Sequence, residues 1–161
     1  MIINSEELRK IREQNKDRKI VFCSGNFDLT HAGHILFFED CKRLGDLLVV
    51  GIGGDSIMFE NKKRVILNEH IRLKTIDSLK PVDLVLLDKI SNIGNRLKFI
   101  DFVLEELKPD FYVVNEDAFD MPYRKTLCER LNINLKILPR TCPPEFGKIS
   151  TSELIRKIKE L

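Results

Sequence analysis

His31 and His34 stand three positions apart in the string GNFDLTHAGH at 25–34, with Gly33 between them. Imidazoles near neutral pH offer hydrogen-bond donors. Aimed at a phosphoryl group, two of them serve the charge that develops during in-line transfer, a reaction that asks little covalent chemistry of a protein. Gly33 lets a phosphate approach the backbone closely. His-x-x-His also suits a metal on one helix face, but no third ligand accompanies the pair, so no metal-binding residue is expected.

The surroundings of the pair fit a phosphate site. The stretch 19–46 reads as a continuously apolar strand at 20–24, then the histidine loop, then an amphipathic helix from about Gly33. Leu36, Phe37, Cys41 and Leu44 recur at helical spacing before Gly45 ends that helix. A strand feeding a loop and a helix start gathers unpaired N–H groups and the positive end of the helix dipole.

The remaining elements repeat this pattern. A short helix precedes the first strand, with Asn4 or Ser5 as its cap and Glu7 in the capping-box position. Further apolar strands are expected at 47–52, 82–87, 111–114 and 135–138. Between the second and third lie a loop at 53–68 carrying Lys62, Lys63 and Arg64, and a helix capped by Asn68. In that helix Ile71, Thr75, Ile76 and Leu79 should share a face, and Pro81 should end it. Ile100, Val103, Leu104 and Leu107 mark the next helix, and Pro122 sits in the first turn of one whose apolar face is Leu127 and Leu131. The segment PRTCPPEFGK cannot be regular, and Ser150 with Glu153 boxes a last helix burying Leu154, Ile155, Ile158 and Leu161. Strands alternating with helices predict an α/β fold: a Rossmann-like open sandwich with a five-stranded parallel sheet and helices on both faces, in one domain over 1–161 with 1–18 appended. Ligands of such sheets sit outside the carboxyl ends of the strands, where the loop at 25–34 falls.

Composition narrows the partners. The 161 residues carry 27 basic and 25 acidic side chains, a net charge of +2, which gives no ground for a nucleic-acid binder. Cys23, Cys41, Cys128 and Cys142 are widely spaced, so reduced thiols are expected rather than zinc or disulfides. The charged start, MIINSEELRK, is unlike a signal peptide, and no apolar run reaches the roughly 20 residues of a membrane span. The expectation is a soluble cytoplasmic protein with no membrane partner.

Taken together, Gly25-Asn26-Phe27-Asp28-Leu29-Thr30-His31-Ala32-Gly33-His34 and Ile149-Ser150-Thr151-Ser152 resemble the HxGH and ISTS signatures of the cytidylyltransferase-like nucleotidyltransferases. The likeness runs over nearly the whole chain from Lys19. It is greatest to glycerol-3-phosphate cytidylyltransferases and the heptose 1-phosphate adenylyltransferase domain. The resemblance implies transfer of a nucleoside monophosphate from CTP or ATP to a phosphorylated sugar or polyol, with release of pyrophosphate. It implies Mg²⁺ carried mainly by the nucleotide phosphates, and, since relatives are often dimers, it leaves room for a homodimer.

By the same resemblance His31, His34 and Lys62 are the catalytic candidates. Gly25, Asn26, Phe27, Gly33, Arg140, Thr141, Ser150, Thr151 and Ser152 are candidates for the nucleotide and its phosphates. The hydroxyls and N–H groups at Ser150, Thr151 and Ser152 suit β- and γ-phosphates on physical grounds as well. Asp28, Arg64, Arg72, Asp83 and Asp117 are candidates for the acceptor, with an Asx-turn as the competing role for Asp28, a structural role equally open for Asp83, and a solvated charge for Lys63. Two departures from the family pattern stand out. After the fourth strand, 115–118 keeps Asp117 but not the family's lysine, glycines and aromatic, although Phe119 can supply a ring. The loop CPPEFGK at 142–148 is longer than in relatives, which suits either a reshaped triphosphate site or a lid. A non-catalytic nucleotide-binding protein is the alternative reading. A dinucleotide-binding dehydrogenase, suggested by Gly51-Ile-Gly53-Gly54, lacks the full GxGxxG and follows the wrong strand.

Overall fold

A computed structural model describes residues 1–92, 94–147 and 149–161, and at Asn61 the backbone alone. Five strands, β1 (Ile20–Gly25), β2 (Leu47–Ile52), β3 (Leu84–Leu87), β4 (Phe111–Asn115) and β5 (Asn134–Leu138), pair in parallel in the order β3-β2-β1-β4-β5. Side chains alternate across β1. Ile20 and Phe22 join a core with helices α5 (Lys98–Leu107) and α6 (Met121–Leu131), through Phe99, Val103, Leu104 and Leu127. Val21 and Cys23 join the opposite core with α2 (Ala32–Lys42) and α4 (Glu69–Asp77), through Phe38, Cys41 and Ile76. A strand buried on both faces must be apolar throughout, which is how 20–23 reads. The chain builds outward from β1 to β3 and then returns to place β4 on its other side. The carboxyl ends of β1 and β4 therefore border the crevice where the strand order reverses.

The first helix is boxed as the sequence suggests: the Asn4 amide donates to Glu7 Oε2 at 2.7 Å, a 3₁₀ turn covers Ser5–Glu7, and α1 (Leu8–Gln14) follows. Ahead of it Ile2 bridges Val85, an edge pairing that no periodicity announced.

Four expectations need correction. The loop at 53–68 contains a helix, α3 (Asp55–Lys62), started by Gly54 and pinned by buried Ile57 and Met58. In α4 the inward position belongs to Arg72, fully buried, while Ile71 is exposed; the charge is tolerated because all its bonds are internal. That helix also ends at Asp77, short of Pro81, and β3 is correspondingly shorter than 82–87. The last helix, α7 (Thr151–Lys159), buries none of its residues, and Ile158 is 62% exposed. Its first turn is tied to the histidine loop, where Thr151 Oγ1 donates to the Asp28 carbonyl at 3.0 Å.

Asp83, expected at the acceptor, precedes β3 and so lies at the amino end of the sheet, opposite the crevice. Its Oδ2 accepts from Lys42 Nζ at 2.5 Å and from the Leu48 amide at 2.6 Å, tying α2, β2 and β3 together. Asp83→Ala is expected to lower stability by about 1–3 kcal/mol, measured by urea unfolding, with nucleotide affinity unchanged. A loss of nucleotide affinity in a folded variant would return Asp83 to the site.

Candidate active site

The two histidines cap α2 reciprocally. His31 is the N-cap, and its Nδ1 accepts the Gly33 amide at 3.2 Å. His34 reaches back, and its Nδ1 accepts the His31 amide at 3.4 Å. The pair thus fills the roles that Ser and Glu take in an ordinary capping box. Because both Nδ1 atoms accept, each ring carries its proton on Nε2, the far nitrogen. The rings stack with centroids 3.9 Å apart. Gly33 is needed here chiefly for room: a Cβ would stand 3.1 Å from the His31 ring.

The preceding loop is bent to suit. Phe27 and Leu29 both have left-handed backbone, φ 51° and 48°. The Phe27 ring is buried edge-on to His34, with centroids 5.4 Å apart, so it supports a histidine instead of meeting a nucleotide. Asp28 is also buried. Its carboxylate accepts the amides of Ile66 and Leu67 at 3.3 and 3.0 Å, which makes it an anchor for the basic segment after α3 rather than an acceptor ligand.

Both histidines open on a cavity of about 520 Å³ at the carboxyl ends of β4 and β5. Lys62, Asp117, Arg140, Thr141 and the run Ser150, Thr151 and Ser152 line it with them. Burial holds the His34 imidazole down at about 3, with His31, Arg140 and Lys62 adding to the effect; burial also lowers His31, helped by Arg140. The two rings are therefore neutral donors at physiological pH. Arg140 bonds Asp117 at 2.6 Å and Thr141 bonds Asp40 at 2.6 Å. The Ser150 Oγ accepts the Glu153 amide at 3.1 Å as the N-cap of α7, leaving its proton for another acceptor. The loop 142–148 adds a 3₁₀ turn, Pro144–Phe146, beside this wall; Lys148, its last residue, lies outside the described residues.

A second cavity, of about 360 Å³, lies at the ends of β1, β2 and β3, under α5. Gly25 and Asn26 belong to this side and are absent from the histidine cavity. Asn26 packs so tightly that a Cβ on Gly53 would come within 2.4 Å of its Oδ1. Lys62 lines both cavities, at the last position of α3. Residues that the sequence reading missed complete the second cavity: Ser24, Asp88, Arg96, Phe99 and Arg124. No spacing pattern ties 88–99 and α6 to the histidines; only the switch in strand order brings them there. Arg64 lines neither cavity. Arg72 cannot touch a ligand at all: it donates to the Asn26 and Leu67 carbonyls at 2.7 and 2.9 Å and to Asp55 at 2.7 Å, holding three segments in place.

Such a loop, with donors at two helix starts, invites comparison with known proteins. The cytidylyltransferase-like family profile matches residues 22–157. The chain belongs to the cytidylyltransferase-like family. It is 35% identical over 99% of its length to the bifunctional protein HldE of Campylobacter jejuni strain RM1221, of which it covers 32%. It therefore spans about a third of these HldE proteins. It is 34% identical to the FAD synthase of Aciduliprofundum boonei over 73% of this chain and 75% of that one. Among solved structures, the lipopolysaccharide core biosynthesis protein of Thermoplasma volcanium superposes with TM-score 0.63 at 33% identity, over 78% of this chain and 98% of that one. Pantoate-beta-alanine ligase of Francisella tularensis shares the fold at TM-score 0.66 and 19% identity, over 100% of this chain and 78% of that one. The dehydrogenase reading of Gly51–Gly54 finds no support in this family membership, and the Rossmann-like fold is as expected.

The histidine geometry has a pH signature. With the folded value of His34 at about 3 and the unfolded one at 6.5, the unfolded chain binds the extra proton between these pH values. Stability from this group is therefore complete above about pH 6.5 and falls as acid is added toward pH 3. In ¹H–¹⁵N spectra His34 should remain an Nε2–H neutral ring at pH 5. Urea unfolding of His34→Gln should lose less stability than wild type between pH 7 and pH 5; an equal loss would contradict the assignment.

Proposed function

We propose that this chain transfers a nucleoside monophosphate from CTP or ATP to a phosphorylated sugar or polyol, releasing pyrophosphate. The observation that carries the proposal is the pair of neutral Nε2–H donors facing a cavity that ends at a second helix start. The family membership and the HldE and FAD synthase relatives support the same reaction class.

In this reading the triphosphate lies along the 520 Å³ cavity. The β- and γ-phosphates meet Ser150, Ser152 and the amides at the start of α7, with Arg140 and Thr141 beside them. The α-phosphate rests at His31 and His34. An oxygen of the acceptor phosphate attacks the α-phosphorus from the side of the second cavity, a new O–P bond forms, and the bond to the β-phosphate oxygen breaks. Lys62, shared by the two cavities, serves the charge spread over the α-phosphoryl oxygens at that moment. Thr151 has its hydroxyl committed to the Asp28 carbonyl, so it holds α7 against the histidine loop while offering only its amide.

Mg²⁺ belongs to this scheme as part of the substrate. Among the described residues no three His, Cys, Asp or Glu side chains gather as a metal site. Asp117, the carboxylate that lines the 520 Å³ cavity, pairs with Arg140. A cation would be held by the phosphates, which suits an ion that keeps most of its water. No helix of the described chain is long and apolar enough to cross a membrane. The cytoplasmic setting and any homodimer are parts of this proposal.

The deciding experiment is pyrophosphate release with CTP and ATP, crossed with glycerol 3-phosphate, heptose 1-phosphate and flavin mononucleotide as acceptors. One pair should turn over, and His34→Ala should slow it about 10²- to 10³-fold. Nucleotide binding by calorimetry without turnover on any acceptor would favour the non-catalytic alternative.

A further inference from the structure

Arg124 on α6 is only 8% exposed, yet no carboxylate is paired with it among the described residues. Its Nε donates to the Phe119 carbonyl at 2.7 Å and its Nη1 to the Tyr112 hydroxyl; the guanidinium also lies over the Tyr112 ring, 5.7 Å from the centroid. All of these partners are neutral. Asp101 is near enough to act on it electrostatically, but that carboxylate receives the Tyr123 hydroxyl at 2.8 Å. Three of the five guanidinium N–H bonds, both of those on Nη2 included, have no partner among the described residues.

Burying a guanidinium with no carboxylate bonded to it is costly, and burial does weaken its hold on the proton. The neutral partners fix the direction of the group without neutralising it. Arg124 lines the 360 Å³ cavity. It also lines a space of about 270 Å³ that shares Asn26 and Phe119 with that cavity and Asp117 and Phe37 with the histidine cavity. The unpaired cation therefore stands where the two cavities meet. A guanidinium held by two of its nitrogens presents its remaining edge as a rigid fork, matched to two oxygens of one phosphate.

We propose that Arg124 is a binding residue for the phosphate of the acceptor, whose dianionic group enters between Arg124 and Lys62. This rests on the nucleotidyl-transfer reading, which supplies the second cavity with its role. Arg96, stacked over the Phe119 ring at 5.1 Å, lines the same cavity.

The test saturates the histidine cavity with a non-hydrolysable ATP or CTP analogue and titrates inorganic phosphate into the protein labelled with ¹⁵N-arginine. Phosphate should shift the Arg124 side-chain resonances, while glycerol should not. Arg124→Gln should weaken phosphate binding about 10- to 100-fold, Arg124→Lys less, and both should bind the analogue as wild type does. If Arg124→Gln fails to fold, the wild-type resonances and Arg124→Lys still decide the matter. Phosphate that leaves the Arg124 resonances unmoved, affinity equal in wild type and Arg124→Gln, or no phosphate binding at all overturns the proposal. Failure of both analogues to bind would instead remove the nucleotidyl-transfer reading, and the phosphate titration without nucleotide would still answer for Arg124.

Discussion

Everything at the site depends on the reciprocal bonds between the two histidines and the first turn of α2. The start of a helix leaves amides that need acceptors, and here two imidazoles meet that need with their Nδ1 atoms. One local requirement thereby decides three things at once: the rotamers of both rings, the nitrogen that carries each proton, and the direction of both remaining donors. A serine and a glutamate would cap the helix as well, but would leave no neutral N–H pair facing the cavity. Structural and chemical roles coincide in the same atoms.

The rest of the molecule secures that arrangement from outside. Phe27 props the His34 ring, Asp28 fastens the segment at 66–67, and Arg72 gathers Asn26, Asp55 and Leu67 around one buried guanidinium. Two buried charges thus spend their bonding on backbone groups and on one carboxylate. They shape the site without touching a ligand. Arg124 differs in this respect, since its partners are neutral and part of its fork is left over.

The parallel sheet was legible in the sequence because strands covered on both faces must be apolar at every position, and 20–23, 47–50 and 84–87 are. The histidine loop was legible because its chemistry is local, confined to a few consecutive residues, and the serines at 150–152 because a cap announces itself. What could not be read was of another kind. Helix α3 has too few apolar residues to show a period, and Arg72 occupies an inward position that hydropathy assigns to its neighbour Ile71. Asp83 and Asp28 matched a pattern in the chain, but an aligned carboxylate can serve either a ligand or the backbone, and only its neighbours in space decide which. The apolar stripe of α7 was misjudged because periodicity says that a face exists, not that something covers it.

The left-handed backbone at Phe27 and Leu29 bears on more than geometry. Each such residue without glycine's freedom costs about 1–2 kcal/mol, and this loop accepts the cost twice within three positions. A glycine at either place would relieve that strain and would also release the loop from the single shape it now holds. The chain has kept the stiff residues, so the loop meets its ligand already bent, and little ordering is left for binding to do. In that sense the fold gives up some stability for a loop whose shape is set before any ligand reaches it.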